Sequence, residues 1–271
     1  MTKEEKTYLP KKVLITGASS GIGKEMARII ARRGYKVILV AKNKEKLKKT
    51  ALEIGKTDKV DVQYFVCDLS SEKDINQLCK TFPNIDILIN NAGFASYGYF
   101  HQLPWKREKE MILVNTLALA KLSHFYLKGM VERNFGRILN VASTAGDSPI
   151  PFCSTYSGTK AFVIKFSKSL ATELSDCNVT VSCLLPGPTS TSFWKASKMD
   201  FKVRKSYSGY ASPKDVAEFG INLMEKGKIS GVPGLKNNLK QKIKAFLPEK
   251  IWLYLIRKHM FPRRDHILTI N

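Results

Sequence analysis

Short apolar runs alternate with stretches of helical period along most of this 271-residue chain. Lys12–Thr16 is a short apolar run of the kind a buried parallel strand gives. An amphipathic helix over Lys24 to Arg33 follows, then a second run at Tyr35–Val40. Runs at Val62–Cys67, Ile85–Ile89, Arg137–Val141 and Asn178–Leu185 predict further strands. Between them, helical spacing covers Trp105–Lys128 and Tyr156–Ser175. Pro213 opens a helix to Lys226, because proline suits the first helical position. Ile229–Val232 reads as a short last strand. Strands alternating with helices predict an α/β fold, a doubly wound parallel sheet with helices on both faces. No repeat or long linker divides it, so 1–234 reads as one domain and 235–271 as a helical extension.

Composition changes this picture little, and charge changes it more. Apolar residues make up 44% of the chain and aromatics 10%, enough for a sizeable core. No apolar run reaches the ~18 residues of a membrane-spanning helix. The charged start, Met-Thr-Lys-Glu-Glu-Lys, lacks the apolar region of a secretion signal. Five scattered cysteines without a CxxC pair argue for reduced thiols in a cytoplasm, with neither a disulfide frame nor a metal site. The net charge is +22. From Leu235 onward nine lysines and arginines face only Glu249 and Asp265, yet most of the excess sits in the body. Such a field suits an acidic ligand or a membrane surface; a lysine-rich genome gives the same number without a function.

The strand ends carry the candidate chemistry, since ligands of such sheets bind at their carboxyl edge. Thr16-Gly17-Ala18-Ser19-Ser20-Gly21-Ile22-Gly23 joins the first strand to the first helix. Glycine at 17 permits a tight turn, and Gly21 and Gly23 allow close approach of a phosphate and of the sheet. The helix end supplies free N–H groups for a pyrophosphate, which makes the sheet Rossmann-type. After the second strand come Ala41, Lys42 and Asn43, with no acid to hold the ribose diol of NAD. A small residue followed by a cation suits the 2′-phosphate of NADP instead. Asp68, followed by Leu69, closes the third strand and is free for the adenine if Ser70 or Ser71 caps the next helix. Small residues in Asn90-Asn91-Ala92-Gly93 admit the cofactor, and Pro186-Gly187-Pro188 stops the sixth strand.

Ser143 lies just beyond the fifth strand, with Tyr156 thirteen residues later and Lys160 four after that. Residues four apart share a helix face. An ammonium beside a phenol lowers its pKa from about 10, so Tyr156 is the expected proton donor or acceptor and Ser143 a donor to a ketone oxygen. Asn115 lies mid-helix among apolar neighbours and, if buried, must find hydrogen-bond partners.

Together, TGASSGIG, NNAG, the Ser–YxxxK pair and PG, in this order over about residues 12 to 232, resemble the short-chain dehydrogenase/reductase family. The resemblance implies an NADP(H)-dependent oxidoreductase with Asn115, Ser143, Tyr156 and Lys160 as its tetrad. Tyr156 would be the general acid/base and Ser143 would orient the carbonyl. Lys160 would lower the phenol's pKa and hold the ribose, and Asn115 would place a relay water. The resemblance also puts Thr189 and Thr191 at the carboxamide. It implies a homodimer or homotetramer through the helices near 104–128 and 156–175.

Phe94, Tyr97, Phe100, Phe152, Phe193, Trp194 and Phe201 predict an apolar pocket, partly closed by a lid over Thr189–Tyr210. A steroid, an acyl chain or an aromatic ketone fits such a wall; the alternative is that half of these aromatics are core. In the extension, Leu235, Leu239, Ile243, Phe246 and Leu247 share a face, with Lys236, Lys240, Lys242 and Lys244 off it. Pro248 breaks that helix, and the next is apolar nearly all round, Ile251 to Ile256, with basic residues after it. This composition suits either docking on the body, over the substrate pocket, or a peripheral membrane contact through 235–264. Basic residues without a reading motif give nucleic acid no support. A cofactor-binding, membrane-associated scaffold without turnover is the competing reading, and the complete tetrad disfavours it.

Overall fold

The computed structural model describes residues 11–58, 60–193, 197, 211–234, 237 and 248–260. In chain order the strands are β1 (Lys12–Thr16), β2 (Lys36–Ala41), β3 (Val62–Val66), β4 (Ile87–Asn90), β5 (Gly136–Val141), β6 (Val179–Leu184) and β7 (Ser230–Gly231). The helices are α1 (Gly21–Arg32), α2 (Lys44–Asp58), α3 (Glu72–Thr81), α4 (Trp105–Ile112), α5 (Leu119–Glu132), α6 (Ser154–Glu173), α7 (Pro213–Glu225) and α8 (Glu249–Met260). Among the described residues the strands form one sheet in the order β3-β2-β1-β4-β5-β6-β7. Every pairing is parallel.

Side chains alternate across each strand, which splits the core into two layers. Val13, Ile15 and Leu39 pack with Met26, Ile30, Leu47, Val216 and Ile221 on one face. Leu14, Val40, Leu88 and Ile138 pack with Ile75, Leu78, Leu122 and Met130 on the other. The order reverses at β1, which pairs with β2 on one side and β4 on the other. A crevice opens at the carboxyl ends of strands at such a switch point.

Three elements differ from the sequence reading. Helix α1 begins at Gly21, so the last glycines of the TGASSGIG run form its first turn. The predicted helix over 105–128 extends to Glu132 and is broken by a π-helical turn at Leu113–Ala118, which contains Asn115. The last strand keeps only two residues. Of the extension, α8 is described; Leu235, Lys236, Leu239, Lys240, Lys242, Ile243, Lys244, Phe246 and Leu247 lie outside the described residues, and so does most of the expected lid. Among the described residues no helix is long and apolar enough to cross a membrane.

Candidate active site

A cleft of about 550 Å³ lies over the switch point. Its floor at one end is the β1–α1 turn. Gly17 has φ +66°, and a Cβ there would come within 2.9 Å of the Ala92 Cα, so only glycine lets the two turns meet. Asn91 ties them further: its amide nitrogen donates to Thr16 O at 2.9 Å and to Gly17 O at 3.3 Å. The Ser20 side chain does not cap α1, and no acid stands in the first turn. Other helices are capped by side chains: α3 by Ser71 and α7 by Ser212. The first-turn N–H groups of α1 therefore face the cleft unspent, a cradle that fits the pyrophosphate of a nicotinamide dinucleotide.

Ser19, Ser20, Gly21, Ile22, Lys42, Asn43, Asp68, Leu69, Asn91, Ala92, Gly93, Pro186, Gly187, Thr189 and Thr191 all line this cleft, as does Gly17. Gly23 is the exception: it stands behind the wall, where a Cβ would press on Gly17 O at 2.6 Å. Asn43 also caps α2, its Oδ1 accepting from Lys46 N at 2.8 Å. Asp68 is not free, as the sequence suggested. Ser71 does cap α3, but Asp68 accepts from Ser70 N at 3.0 Å and Ser70 Oγ at 2.7 Å, and pairs with Lys42 Nζ at 2.6 Å. Partial burial pushes its carboxyl up, yet the bonds to Lys42 and Ser70 outweigh this and hold it below the usual range. The same pair raises Lys42.

Ser143, Tyr156 and Lys160 meet on the far wall of the cleft. Ser143 follows β5 and starts a single 3-10 turn, its Oγ accepting from Ala145 N at 3.1 Å. Gly146 ends that turn against α6: a Cβ there would lie 2.4 Å from the Lys160 carbonyl carbon. Glycine at 146 therefore lets the serine loop seat directly on α6. The signal in the sequence was faint, a glycine three residues after Ser143. Ser143 Oγ donates to Pro186 O at 3.4 Å, on the same cleft wall as the Tyr156 phenol. Lys160 Nζ donates to Val141 O at 2.8 Å and lies 5.9 Å from the Tyr156 ring centroid.

The electrostatics correct one expectation. Lys160 does not draw the phenol down. Burial pushes Tyr156 up, with the nearby Ser143 hydroxyl opposing, and burial lowers Lys160 to about 8. Both side chains are nearly dry, and the charged form of each is what a dry site disfavours. Asn115 stands behind the wall as well. Its Oδ1 accepts from Phe94 N at 3.1 Å, and its Nδ2 donates to Phe94 O at 3.0 Å and Thr159 Oγ1 at 3.1 Å. Its side chain thus braces the Phe94 strap to α6, next to Lys160. Thr159 went unnoticed in the sequence.

The apolar side of the site holds Phe94, Val114 and Phe193 in the cleft wall. Behind them Ala95, Met111, Cys153 and Tyr156 form a buried cluster, joined by Tyr97 and Phe152. Phe100 turns out exposed, so it does not wall the pocket. Trp194 and Phe201 lie outside the described residues. The docking expected of the extension is present for α8: Trp252 Nε1 donates to Ser148 Oγ at 3.2 Å, and Ile256 packs on the apolar cluster.

This geometry has close counterparts. The short chain dehydrogenase family model matches residues 11–201. The chain is 32% identical over 255 residues to the very-long-chain 3-oxoacyl-CoA reductase of Bos taurus, covering 91% of this chain and 78% of that protein. It is also 32% identical over 262 residues to hydroxysteroid dehydrogenase-like protein 1 of Gallus gallus, covering 94% and 78%. Among solved structures, a short-chain dehydrogenase from Sphingobium yanoikuyae in complex with NADPH superposes with a TM-score of 0.79 at 30% identity. That match covers 89% of this chain and 96% of the other.

Proposed function

We propose that this chain, which belongs to the short-chain dehydrogenase family and is a nicotinamide-dependent oxidoreductase of carbonyl and secondary-alcohol groups, uses NADPH to reduce a ketone on a long apolar body, 3-oxoacyl thioesters first among the candidates. The observation that carries the reading is a buried phenol, sharing the cleft wall with Ser143 and Lys160, at the junction of a dinucleotide-shaped cleft and an apolar cluster. The names of the bovine and chicken relatives support a large apolar substrate.

A bound nicotinamide supplies the hydride. The protein supplies the proton and the aim. Tyr156 gives its proton to the ketone oxygen, and Ser143 donates a hydrogen bond to the same oxygen. Lys160, held by the Val141 carbonyl, serves the ribose. Asn115 positions rather than reacts: it fixes the strap at Phe94 against α6. The test is NADPH oxidation with a panel of 3-oxoacyl thioesters and bulky ketones; absence of turnover across the panel removes the reading.

The preference for NADPH rests on Lys42 and on the missing acid after β2. Lys42→Asp places a second carboxylate beside Asp68, where the 2′-phosphate would sit. NADPH affinity should fall about tenfold more than NADH affinity, measured by fluorescence titration. An equal loss takes Lys42 out of the cofactor site.

Assembly and location follow the same reading. Leu117, Phe125 and Phe162 lie exposed on the π turn, α5 and α6, an apolar surface suited to a homodimer or homotetramer of a cytoplasmic enzyme. The outer side of α8 exposes Ile251, Tyr254 and Leu255 next to Lys250 and Lys258, the mix of apolar and basic residues that binds an anionic bilayer surface. Full-length protein should co-sediment with anionic vesicles and less with neutral ones, and Leu255→Glu should lower the anionic fraction severalfold. Equal partitioning of variant and wild type removes the membrane contact.

A further inference from the structure

We propose that the inner face of α8 is the far wall of the substrate subsite. On this reading it seats the hydrocarbon beyond the ketone, and Ile256 and Trp252 set the chain length preferred. The inference rests on the ketone-reductase reading above and assigns a wall to the same site.

Trp252 and Ile256 are four residues apart and leave α8 on one side. Leu253, also half-buried, widens the strip, while Ile251, Tyr254 and Leu255 point away. Each of the two inner residues has its own attachment to the body. The indole N–H of Trp252 donates at 3.2 Å to Ser148, on the loop that carries Ser143 into α6. A half-buried indole needs such a partner, and this one fixes α8 to the catalytic loop. Ile256 packs on the cluster to which the Tyr156 ring itself belongs. Phe193, with its ring centroid 5.6 Å from that of Tyr156, is part of the same cluster. Hydrocarbon side chains therefore run without a break from Phe94 and Phe193 in the cleft wall, through the cluster, to α8. Apolar contact at that distance rewards only substrates long enough to reach it.

The experiment uses full-length protein, NADPH and a series of 3-oxoacyl thioesters of rising chain length. Ile256→Asp puts a charge into the cluster and should release α8. Its kcat/KM for the longest substrates should fall about tenfold or more, while that for the shortest stays within about twofold. NADPH affinity should not change. Trp252→Phe keeps an aromatic ring but loses the N–H and part of the indole's bulk, so it should shift the series the same way, by about threefold. A loss proportionate along the series, or none from either variant, overturns the wall. If wild type reduces no 3-oxoacyl thioester, the reductase reading fails and the wall is judged by binding alone. A long-chain acyl thioester should then shift the emission of wild-type protein, with that shift lost in Trp252→Phe, and Ile256→Asp should weaken its binding about tenfold. Unchanged affinity overturns the proposal in that case too.

Discussion

Tyr156→Phe should lower kcat/KM for ketone reduction by about three orders of magnitude or more, with NADPH affinity within about twofold of wild type. The substitution removes one oxygen and leaves the ring. That ring packs in the cluster with Met111 and Cys153 and lies beside Phe193, so the cluster and α6 should keep their form. What disappears is the proton that the ketone oxygen must receive as hydride reaches its carbon. Burial, which holds the phenol in its protonated form at neutral pH, makes Tyr156 an acid ready for reduction. The reverse reaction needs the phenolate, so alcohol oxidation by the wild type should be slow at pH 7 and rise with pH. Steady-state rates in both directions, with a fluorescence titration of NADPH, measure all of this. A variant keeping more than about a tenth of the wild-type rate would put the proton source elsewhere.

The frame of this molecule was legible because its signals are local. Apolar runs mark strands buried on both faces, and the glycine turn sits between a strand and a helix, where a phosphate would use it. Ser143, Tyr156 and Lys160 were legible for the same reason, being fixed by one loop and one helix. What escaped depends on contacts between distant segments. Gly146 matters through α6 packing against it, and nothing near it in sequence says so. Asn115 was expected to need hydrogen-bond partners, but which ones was hidden: its amide bonds Phe94 and Thr159, 21 and 44 residues away. Asp68 was expected to be free, but the cation read as a phosphate partner reaches it first. The sign of the Tyr156 shift was missed because spacing reports neighbours and not dryness. Burial works on the phenol and the amine alike, and for each it is the largest cause of the shift.

Lys160→Met tests that dryness directly, with a loss of activity of about a hundredfold or more and a change in how stability depends on pH. The folded protein holds Lys160 at about 8, against 10.5 for the free side chain, because burial penalises the ammonium. Between these values the unfolded chain binds more protons than the folded one, so stability rises with pH across the window. Below pH 8 the full cost of the buried charge is present, about 3 kcal/mol at about 1.4 kcal/mol per pH unit. Methionine removes that cost but also takes the donor from the Val141 carbonyl, a loss of about 1–3 kcal/mol. At pH 7 the two effects nearly cancel, and the variant should melt close to wild type. Near pH 10.5 wild type no longer carries the cost, and the variant should be the less stable by about 1–3 kcal/mol, roughly 2–12 °C in Tm. Other titrating groups drop out of the difference between the two proteins, which leaves Lys160. Thermal melts of both from pH 7 to 10.5 decide the matter: parallel curves would mean that the ammonium is not held in a dry site.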